Sequence, residues 1–343
     1  MKTVVLTGPK SMKVVEAEKP KSKNGHVIVK VLATAICGAD LHYWATGEQT
    51  ENGTAVVRGH ELVGIVDDPG SRTDLHVGDK VWVAPGDPCG ECVYCKEGAV
   101  NLCDGARRGI GIVPEMPGSF AEYLSTRPDH VIALPDGITD LEAAVLEPCI
   151  VAYHCYGKMN PDVNKPLLII GAGPIGVLTA MWAKNGGVKK VVMTDTNDNR
   201  LVLAKNLGIV DETYNALSEN HVEDLKKASG DVGFTQCIDC VGFSSSINSA
   251  FKSMRALGTI VVVGYPRHPL SIDIQGLIDA ELNLVGSYGY TLEDAYPVVD
   301  AIISKKINAE GIITKQTTLD QLPQAFESLG SKENPDLKVV IFP

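Results

Sequence analysis

Hydrophobic residues along this chain come in short runs, and the character of these runs changes near Leu141. Before that point, runs such as 4–6 and 80–83 are separated by Pro-Gly corners. This texture predicts a compact, mostly antiparallel β domain. After it, apolar strands alternate with helices, as in the strand predicted at 167–170 and the helix predicted at 177–185. Apolar runs spaced by helices indicate a parallel sheet.

The same patterns predict most of the remaining elements. Further strands are predicted at 26–31, 64–66, 120–124, 190–194, 234–239, 259–263 and 338–342. Helices are predicted at 141–146, 199–207 and 292–304, with one more between the strands at 234–239 and 259–263. The final strand is expected to return to the first domain.

The composition is ordinary for a folded protein, with 343 residues of which 44% are hydrophobic and 21% are charged. That length favours two domains. No apolar run reaches the ~18–20 residues of a membrane span, and the first residues lack signal-peptide features, so we expect a cytoplasmic protein without a membrane partner. The formal charge of −11 argues against nucleic-acid binding, which needs a clustered basic surface. The nine cysteines indicate metal ligands and buried thiols before disulfides.

Four cysteines lie close together in the sequence, at Cys89, Cys92, Cys95 and Cys103. Their spacing fits one closed, tetrahedral and structural zinc site. An iron–sulfur cluster is the competing interpretation, because a Cys-x₂-Cys-x₂-Cys run also occurs in such proteins. The longer gap before Cys103 and the absence of a following proline count against a cluster. We expect zinc here to stabilise its lobe and to take no part in chemistry.

A glycine-rich segment, Gly171-Ala172-Gly173-Pro174-Ile175-Gly176, follows a predicted strand and opens a predicted helix, and Asp195 closes the next strand. In that context the segment predicts a dinucleotide site, whose glycines let the backbone approach the pyrophosphate at the helix N-terminus. Asp195 would accept hydrogen bonds from ribose hydroxyls and repel a 2′-phosphate, which favours NAD over NADP. Arg200 weakens this argument for NAD, because an arginine near that strand end can also bind a 2′-phosphate. Its offset suggests a place beside the adenine ribose or the nearby phosphate.

A third set of metal-binding side chains is dispersed along the chain, at Cys37, His60, Glu61 and Glu147. A thiolate, an imidazole and a carboxylate form a catalytic zinc set when one position stays open for water or substrate. Asp40 is a candidate to accept the second ring N–H of His60 and fix its tautomer. Sequence separation alone does not join these residues, and each by itself is more often structural or on the surface.

Taken together, these motifs resemble those of the zinc-dependent medium-chain alcohol/polyol dehydrogenases, in the same order and over essentially the whole chain. The resemblance rests on Cys37-Gly38-x-Asp40, Gly59-His60-Glu61, the four cysteines, Glu147-Pro148 and the glycine segment ending in Asp195. It implies a GroES-like catalytic domain at 1–150 and 287–343, with a structural zinc lobe at 86–104. It also implies an inserted Rossmann NAD-binding domain, a doubly wound parallel sheet, at 151–286, and a homodimer or homotetramer. Residues 41–44 and Glu147-Pro148 resemble the sorbitol/xylitol dehydrogenase branch more than simple ethanol dehydrogenases.

The resemblance also implies roles for individual residues. Two zinc ions per chain are implied: a structural one on the four cysteines, and a catalytic one on Cys37, His60, Glu61 and Glu147, where the two acids exchange with water as ligand. The NAD contacts implied are Gly171, Gly173, Pro174, Ile175, Gly176, Asp195, Arg200, Val241, Val263, Gly264 and Ser287. Zinc would act on the substrate hydroxyl as a Lewis acid, a relay would carry the proton away, and the hydride would pass to the nicotinamide.

Two positions depart from the family pattern. Members commonly carry Ser or Thr two residues after the first zinc cysteine, where its hydroxyl begins the proton relay. Here that residue is Ala39, which has no proton to pass, so the relay must begin at a water, at one of the two acids or at His42. Enzymes of the sorbitol type tend to have Arg-Tyr where this chain has Ser287-Tyr288. Arg58 is interpreted as either a new substrate contact or a surface residue.

These observations lead to three hypotheses about function. The first is a zinc-dependent oxidoreductase that transfers hydride from a secondary alcohol of a polyol, cyclitol or sugar to NAD. The second keeps the same chemistry with L-threonine or a small diol as substrate. The third, suggested by Ala39, is a non-catalytic paralogue that binds NAD. The substrate itself is not predicted, because the loops that shape the pocket have no predictable conformation.

Overall fold

The computed structural model describes residues 1–50, 53–266, 268–331 and 334–343. Its strands are β1 (Lys2–Gly8), β2 (Ser11–Glu16), β3 (Val27–Ala35), β4 (Val56–Val57), β5 (Glu61–Asp68), β6 (Lys80–Val83), β7 (Tyr123–Thr126), β8 (Val131–Ala133), β9 (Leu167–Ile170), β10 (Val191–Asp195), β11 (Glu212–Asn215), β12 (Phe234–Asp239), β13 (Met254–Val262), β14 (Asn283–Gly286), β15 (Ile313–Thr318) and β16 (Lys338–Phe342). Its helices are α1 (Gly38–Thr46), α2 (Val93–Lys96), α3 (Asp140–Ala144), α4 (Leu146–Met159), α5 (Pro174–Asn185), α6 (Asp198–Asn206), α7 (His221–Ala228), α8 (Ser244–Ser253), α9 (Ile274–Asp279), α10 (Ala295–Ile303) and α11 (Leu322–Leu329). None of these described helices has the length and apolarity needed to cross a membrane.

The chain forms two compact units. The first consists of Met1–Glu147, Thr291–Ile303 and Ile313–Pro343, and the second of Pro148–Tyr290 and Ser304–Ile312. Each unit therefore consists of more than one segment of the chain, and the first unit combines the two ends of the chain.

The first unit is built mainly from antiparallel strands, as predicted. Its larger sheet has the order β15-β16-β3-β5-β6-β8, with β7 also paired to β3. Every pair in it is antiparallel except β15 with β16. The central strand β3 is buried along most of its length, because it has neighbours on both sides and apolar residues over it. A smaller sheet has the order β2-β1-β4.

The last strand joins the first unit, which confirms the prediction that the chain returns there. β16 pairs antiparallel with β3, with Val340 opposite Ala35. The strand predicted at 120–124 instead begins at Tyr123. The physical reason is that Phe120 and Ala121 pair with β1: the Phe120 carbonyl accepts the Val4 N–H at 2.8 Å, and Ala121 bridges to Thr3.

The second unit contains a parallel six-stranded sheet with the order β11-β10-β9-β12-β13-β14. This is the strand order of a Rossmann fold, and the predicted doubly wound sheet is confirmed. β9 is buried at all its residues, as expected for a central strand covered on both faces. Strands that follow β9 are added on one side of it as far as β11, and from β12 onwards they are added on its other side. The loops after β9 and β12 therefore flank the crevice in which such folds usually bind ligands.

Candidate active site

Two strand ends bring Cys37, His60 and Glu61 together. β3 and β5 pair with Ala35 opposite Glu61, so the residues that follow β3 lie beside those that begin β5. Cys37 is the N-cap of α1 and His60 directly precedes β5. One potential ligand atom from each of the three side chains lies within 4.8 Å of the other two. The sheet register therefore assembles three of the four residues of the predicted catalytic set.

Glycine is required at the turn into β5. Gly59 has a φ of +94°, and a Cβ at this position would lie 2.7 Å from Phe120 Cδ1 and 2.7 Å from Ser119 Oγ. A side chain here would both strain the backbone and collide with the core. The Gly59-His60-Glu61 motif therefore has a steric reason for its first residue and a chemical reason for the other two.

Asp40 organises the site from within α1. Its Oδ2 accepts the Cys37 N–H at 3.0 Å and its Oδ1 accepts the Gly59 N–H at 3.3 Å. The same Oδ1 lies 3.6 Å from His60 Nδ1, which leaves Nε2 of that ring to bind a metal. Burial opposes the charged form of His60, but the negative charges of Asp40 and Cys37 outweigh it and raise the His60 pKa well above its usual value.

A lysine that the sequence did not single out completes this cluster. Lys338, the first residue of β16, lies with its Nζ 2.8 Å from Glu61 Oε1 and 2.7 Å from Glu61 Oε2. Its third contact is the Ile36 carbonyl, at 3.0 Å. Lys338 is 3% exposed and Glu61 is 1% exposed. Burial opposes the charge on Lys338, but Glu61 and Cys37 outweigh it and raise the lysine pKa.

Glu147 and His42 are the predicted catalytic residues that do not belong to the three-residue group. Glu147 lies in the first turn of α4 and is not part of the three-residue cluster. Burial and the neighbouring charge of Glu61 raise the Glu147 pKa to about 7. His42, on α1, is half-buried, and its Nε2 lies 3.2 Å from Oε2 of the exposed Glu48.

The donor set of the cluster fits a zinc ion. A thiolate, an imidazole nitrogen and a carboxylate are the ligand types of catalytic zinc sites. In the part of the chain that the structure describes, groups of three or more potential ligands this close together occur here and at the four cysteines. Asp40 supplies the carboxylate that commonly holds a zinc-binding histidine.

The four predicted lobe cysteines also converge. Cys89 Sγ lies 4.0 Å from Cys95 Sγ and 3.6 Å from Cys103 Sγ. Sulfurs on a tetrahedron with Zn–S bonds of about 2.3 Å stand roughly 3.8 Å apart, whereas a disulfide needs about 2.05 Å. The N–H of Cys89 lowers the Cys103 pKa to about 6, while burial and the neighbouring thiols raise that of Cys95 to about 12. The spacing of the sulfurs fits a single tetrahedral metal ion bound by the four cysteines.

The second unit contains a cavity of about 1110 Å³ at the carboxyl ends of β9, β10 and β12. Its lining includes the predicted cofactor residues Gly171, Gly173, Asp195, Arg200 and Val241. The position of a Cβ on Gly173 has no atom within 4 Å, so the backbone there is open to a ligand. A Cβ on Gly176 would lie 1.8 Å from the Gly171 carbonyl oxygen, so this glycine lets α5 pack against the loop. Both features fit a bound dinucleotide.

Asp195 is committed to the loops around this cavity. Its Oδ2 accepts the Ala172 N–H at 2.6 Å and its Oδ1 accepts the Asn197 N–H at 2.8 Å. These bonds tie the carboxylate to the glycine loop after β9 and to the turn after β10. The two hydrogen bonds thereby hold the Asp195 carboxylate in the lining of the cavity.

The remaining predicted cofactor residues lie in the loops and helix around the same strand ends. Pro174, Ile175 and Gly176 form the first turn of α5. The N–H groups of Val263 and Gly264 donate to the Asp239 carbonyl at 2.9 and 3.0 Å. The Ser287 N–H donates to the Val262 carbonyl at 2.9 Å. None of these residues lines the described cavity.

Asp239, which the sequence did not single out, joins two of these loops. Its carboxylate accepts the N–H groups of Val241 and Gly242 at 3.0 and 3.1 Å and the Ser246 hydroxyl at 3.1 Å. Burial raises the Asp239 pKa to about 6 even though these donors favour its charged form. Burying a carboxylate costs desolvation free energy, so its presence here indicates that the conformation of the loops depends on it.

Arg58 is neither a surface residue nor free to contact a substrate, which corrects both interpretations of it. It is 1% exposed, and its guanidinium donates to Gln49 Oε1 at 2.9 Å, to the Ile112 carbonyl at 2.8 Å and to the Glu48 carbonyl at 3.0 Å. The guanidinium carbon lies 3.9 Å from the centre of the Tyr43 ring. Arg58 therefore fastens α1 and its following loop to the strand that leads into β5.

Comparison with protein families gives two matches. The description of the first is alcohol dehydrogenase GroES-like domain, and it covers residues 23–136. The description of the second is zinc-binding dehydrogenase, and it covers residues 174–305. The first match contains three of the residues that converge at the first unit's cluster and all four lobe cysteines.

Individual proteins are similar over nearly the whole chain. The sorbitol dehydrogenase of Bacillus subtilis is 30% identical over 351 residues, which is 100% of this chain and 97% of the relative. The L-threonine 3-dehydrogenase of Chelativorans sp. is 33% identical over 92% of this chain and 91% of its own length. A solved structure from Escherichia coli CFT073, described as a short chain alcohol dehydrogenase complexed with NADH, is 28% identical with a TM-score of 0.89, covering 100% of this chain and 99% of that one.

Proposed function

This chain belongs to the zinc-dependent medium-chain dehydrogenase family, and we propose that it oxidises a secondary alcohol of a polyol, cyclitol or sugar with NAD as hydride acceptor. Membership makes it an oxidoreductase. The observation that carries the proposal is the convergence of Cys37, His60 and Glu61 within 4.8 Å of one another. That donor set suits a zinc ion that acts on an alcohol oxygen.

We assign one zinc ion to Cys37 and His60 with an acid, Glu61 or Glu147, and a second to the four lobe cysteines. The proposed catalytic domain comprises 1–150 and 287–343, with its zinc lobe at 86–104, and the proposed NAD-binding domain comprises 151–286. The first assignment is supported by the ligand geometry. The antiparallel and parallel sheets of the two units support the domain assignment, whereas residues 148–150, 287–290 and 304–312 belong to the second compact unit.

When bound, zinc supplies a Lewis acid for the substrate hydroxyl and NAD supplies the hydride acceptor. The protein's own part is to hold and orient. Asp40, whose Oδ1 lies 3.6 Å from His60 Nδ1, orients the ring by its charge, and Gly59 allows the turn that presents it. Ala39 has no hydroxyl to receive the substrate proton. We assign the outward path to His42 Nε2, which lies 3.2 Å from a carboxylate oxygen of the exposed Glu48.

NAD rather than NADP is proposed because Asp195 lines the cavity as a carboxylate held by two backbone N–H groups. A negative charge fixed there would accept bonds from ribose hydroxyls and repel a 2′-phosphate. Arg200 lines the same cavity and is assigned to the adenosine ribose or a neighbouring phosphate.

A homodimer, or a homotetramer containing such a dimer, is proposed as the form of the protein in solution. β14 is an edge strand of its sheet, and Leu284 on it is 39% exposed. Beside it, α9 exposes Ile274 and Ile278. Exposed strand edges flanked by apolar side chains are sites of association between chains. We propose the cytoplasm as its location.

The test of the function is NADH formation over a panel of polyols, inositols, sugars, small diols and L-threonine, with the zinc content of the enzyme measured in parallel. Turnover of a polyol, cyclitol or sugar as the best substrate supports the proposal. L-Threonine is the second candidate, because a relative of that name is 33% identical. No turnover of any compound by zinc-loaded enzyme would refute both. Activity seen only in Ala39→Ser would instead indicate a paralogue without catalytic function.

A further inference from the structure

One buried residue ties together the loops after two adjacent strands of the parallel sheet. The side chain of Asp239, at the end of β12, accepts the N–H groups of Val241 and Gly242 at 3.0 and 3.1 Å. Its main-chain carbonyl accepts the N–H groups of Val263 and Gly264, in the loop after β13, at 2.9 and 3.0 Å. Asp239 therefore holds the loop after β12 by its side chain and the loop after β13 by its backbone.

The backbones of these two loops are in close contact. A Cβ on Gly264 would lie 2.3 Å from the Gly242 nitrogen, so a displacement of one loop would displace the other. On the other side, the glycine loop after β9 packs against the loop after β12, since a Cβ on Gly171 would lie 2.7 Å from Val241 Cγ2. Three loops at strand ends therefore converge around Asp239.

The hydrogen bonds of Asp239 reach the wall of the proposed cofactor cavity. Val241 and Ser246 line that cavity, and both donate to the Asp239 carboxylate, Ser246 through its hydroxyl at 3.1 Å. Ser246 lies in the first turn of α8, so its bond also fixes the start of that helix. Asp239 itself is 0% exposed. It can therefore act on a ligand in the cavity only through the residues that it holds.

The charge of Asp239 decides whether all three bonds to its side chain form. An ionised carboxylate offers only acceptors to its three donors, whereas protonation turns one acceptor position into a donor and weakens at least one bond. Burial raises the Asp239 pKa to about 6, so this change falls close to neutral pH. Among the described residues, the titratable groups that face Asp239 are the thiols of Cys237 and Cys240. Burial raises the pKa of both thiols, so they stay neutral, and α8 faces Asp239 with the Ser246 hydroxyl.

We propose that Asp239 is a positioning residue for the cofactor, whose ionised side chain holds the loops after β12 and β13 in the conformation that binds NAD. The proposal rests on the proposed NAD-dependent function. Binding then favours the ionised form, so a proton leaves Asp239 when NAD binds, and acid weakens binding. The fold itself responds in the opposite direction. Because the folded-state pKa is raised from 3.8 to about 6, the stability that this group contributes is present below pH 3.8 and lost as the pH rises through 6.

The test is calorimetric titration of the complete, zinc-loaded enzyme with NAD⁺ between pH 5 and pH 8. Each titration is run in two buffers of different ionisation enthalpy, which gives the number of protons released on binding, and the zinc content is measured at each pH. Asp239→Asn keeps the shape of the side chain and removes its titration. Asp211→Asn is the matched control. That carboxylate also accepts a backbone N–H, from Val191 at 2.6 Å, but it lies at the start of β10 and outside the cavity lining.

Wild-type affinity for NAD⁺ should be about tenfold lower at pH 5 than at pH 8, as expected for a pKa of about 6 that falls below about 5 in the complex. Binding at pH 6 should release about half a proton from this group. Asp239→Asn should lack this release and should bind at pH 8 at least as weakly as the wild type binds at pH 5, whereas Asp211→Asn should match the wild type. Subtracting the Asp239→Asn profile removes the contribution of the other titratable groups in the cavity lining, among them Asp195, Glu219, His221 and Glu223.

Equal proton release by the wild type and Asp239→Asn at pH 6 would overturn the proposal, as would equal affinities at pH 8. If Asp239→Asn fails to fold, Ser246→Ala decides. Loss of that hydroxyl donor should raise the Asp239 pKa and move the pH midpoint of binding upward by about one unit, and an unmoved midpoint would overturn the proposal. An enzyme that binds NAD⁺ with the expected profile yet oxidises no alcohol would refute the proposed function and leave this inference standing. Absence of NAD⁺ binding at every pH would refute both.

Discussion

Arg58 offers a test of how the first unit is held together around its cluster. Replacing it by Met keeps a side chain of similar length and removes the guanidinium. Three acceptors then lose their donor: Gln49 Oε1 and the carbonyls of Ile112 and Glu48, now at 2.8–3.0 Å. The contact with the Tyr43 ring, at 3.9 Å, is lost as well.

The expected loss of stability follows from these contacts. A hydrogen bond to a charged group contributes about 1.5–3 kcal/mol, and a desolvated cation–π contact contributes about 2 kcal/mol. Burying the charge costs several kcal/mol, and that burial lowers the pKa of Arg58. We add three hydrogen bonds at the low end of their range to the contact with the ring, and subtract the cost of burying the guanidinium. The net loss of stability expected for Arg58→Met is then about 3 kcal/mol. Arg58→Lys should recover only part of this, because one ammonium cannot reach acceptors that a planar guanidinium spans.

The measurement is urea unfolding followed by tryptophan fluorescence. Trp44 and Trp82 lie in the first unit and Trp182 lies in the second, so a Trp182→Phe background reports the first unit alone. With a slope of about 1–3 kcal/mol per M urea, Arg58→Met should lower the midpoint by roughly 1–3 M. Arg108→Met is the control, since that exposed arginine has one ion pair at 3.6 Å and should cost under about 0.5 kcal/mol. A loss below about 1 kcal/mol for Arg58→Met would refute the reasoning.

Three further predictions concern the cofactor, the lobe and the assembly. Asp195→Asn should weaken NADH binding about tenfold and reduce the preference for NADH over NADPH in fluorescence titrations. Asp198→Asn, which lies outside the cavity lining, should change neither quantity. An unaltered preference in Asp195→Asn would count against the role of the carboxylate. Cys103→Ser should remove the lobe zinc, so that elemental analysis finds one zinc fewer per chain, and an unchanged zinc content would mean that the lobe binds none. Leu284→Lys should halve or quarter the mass measured by light scattering after gel filtration, and an unchanged oligomer would place the subunit contact elsewhere.

The core of the fold was predictable because its elements have strong local patterns. The buried strands at 167–170, 234–239 and 338–342 coincide with observed strands. At 167–170 and 338–342 an apolar run bounded by turns leaves little choice. The edge strands β11 and β14 were not predicted. Their residues are half-buried or exposed, so their pattern is weak, and only pairing with β10 and β13 makes them strands.

The candidate ligands were also predictable, whereas their partners were not. Cys37 and His60 stand in short motifs at strand ends, where a metal-binding residue type is visible in the sequence itself. Lys338 and Arg58 act through tertiary contacts, and no local sequence pattern predicts these contacts. A buried arginine and an exposed one look alike in a sequence, so the sequence alone does not place Arg58 in the core.

The last strand links the completeness of the fold to the chemistry proposed for it. Lys338 and Glu61 are 277 residues apart in the sequence. They meet across β3, because β16 pairs with one edge of β3 and the strand that begins with Glu61 pairs with the other. Without β16, Glu61 would be a buried carboxylate with no cation beside it, and an uncompensated buried charge is strongly destabilising. The last strand therefore supplies the positive charge that allows an acid to stand buried beside the thiol and the imidazole.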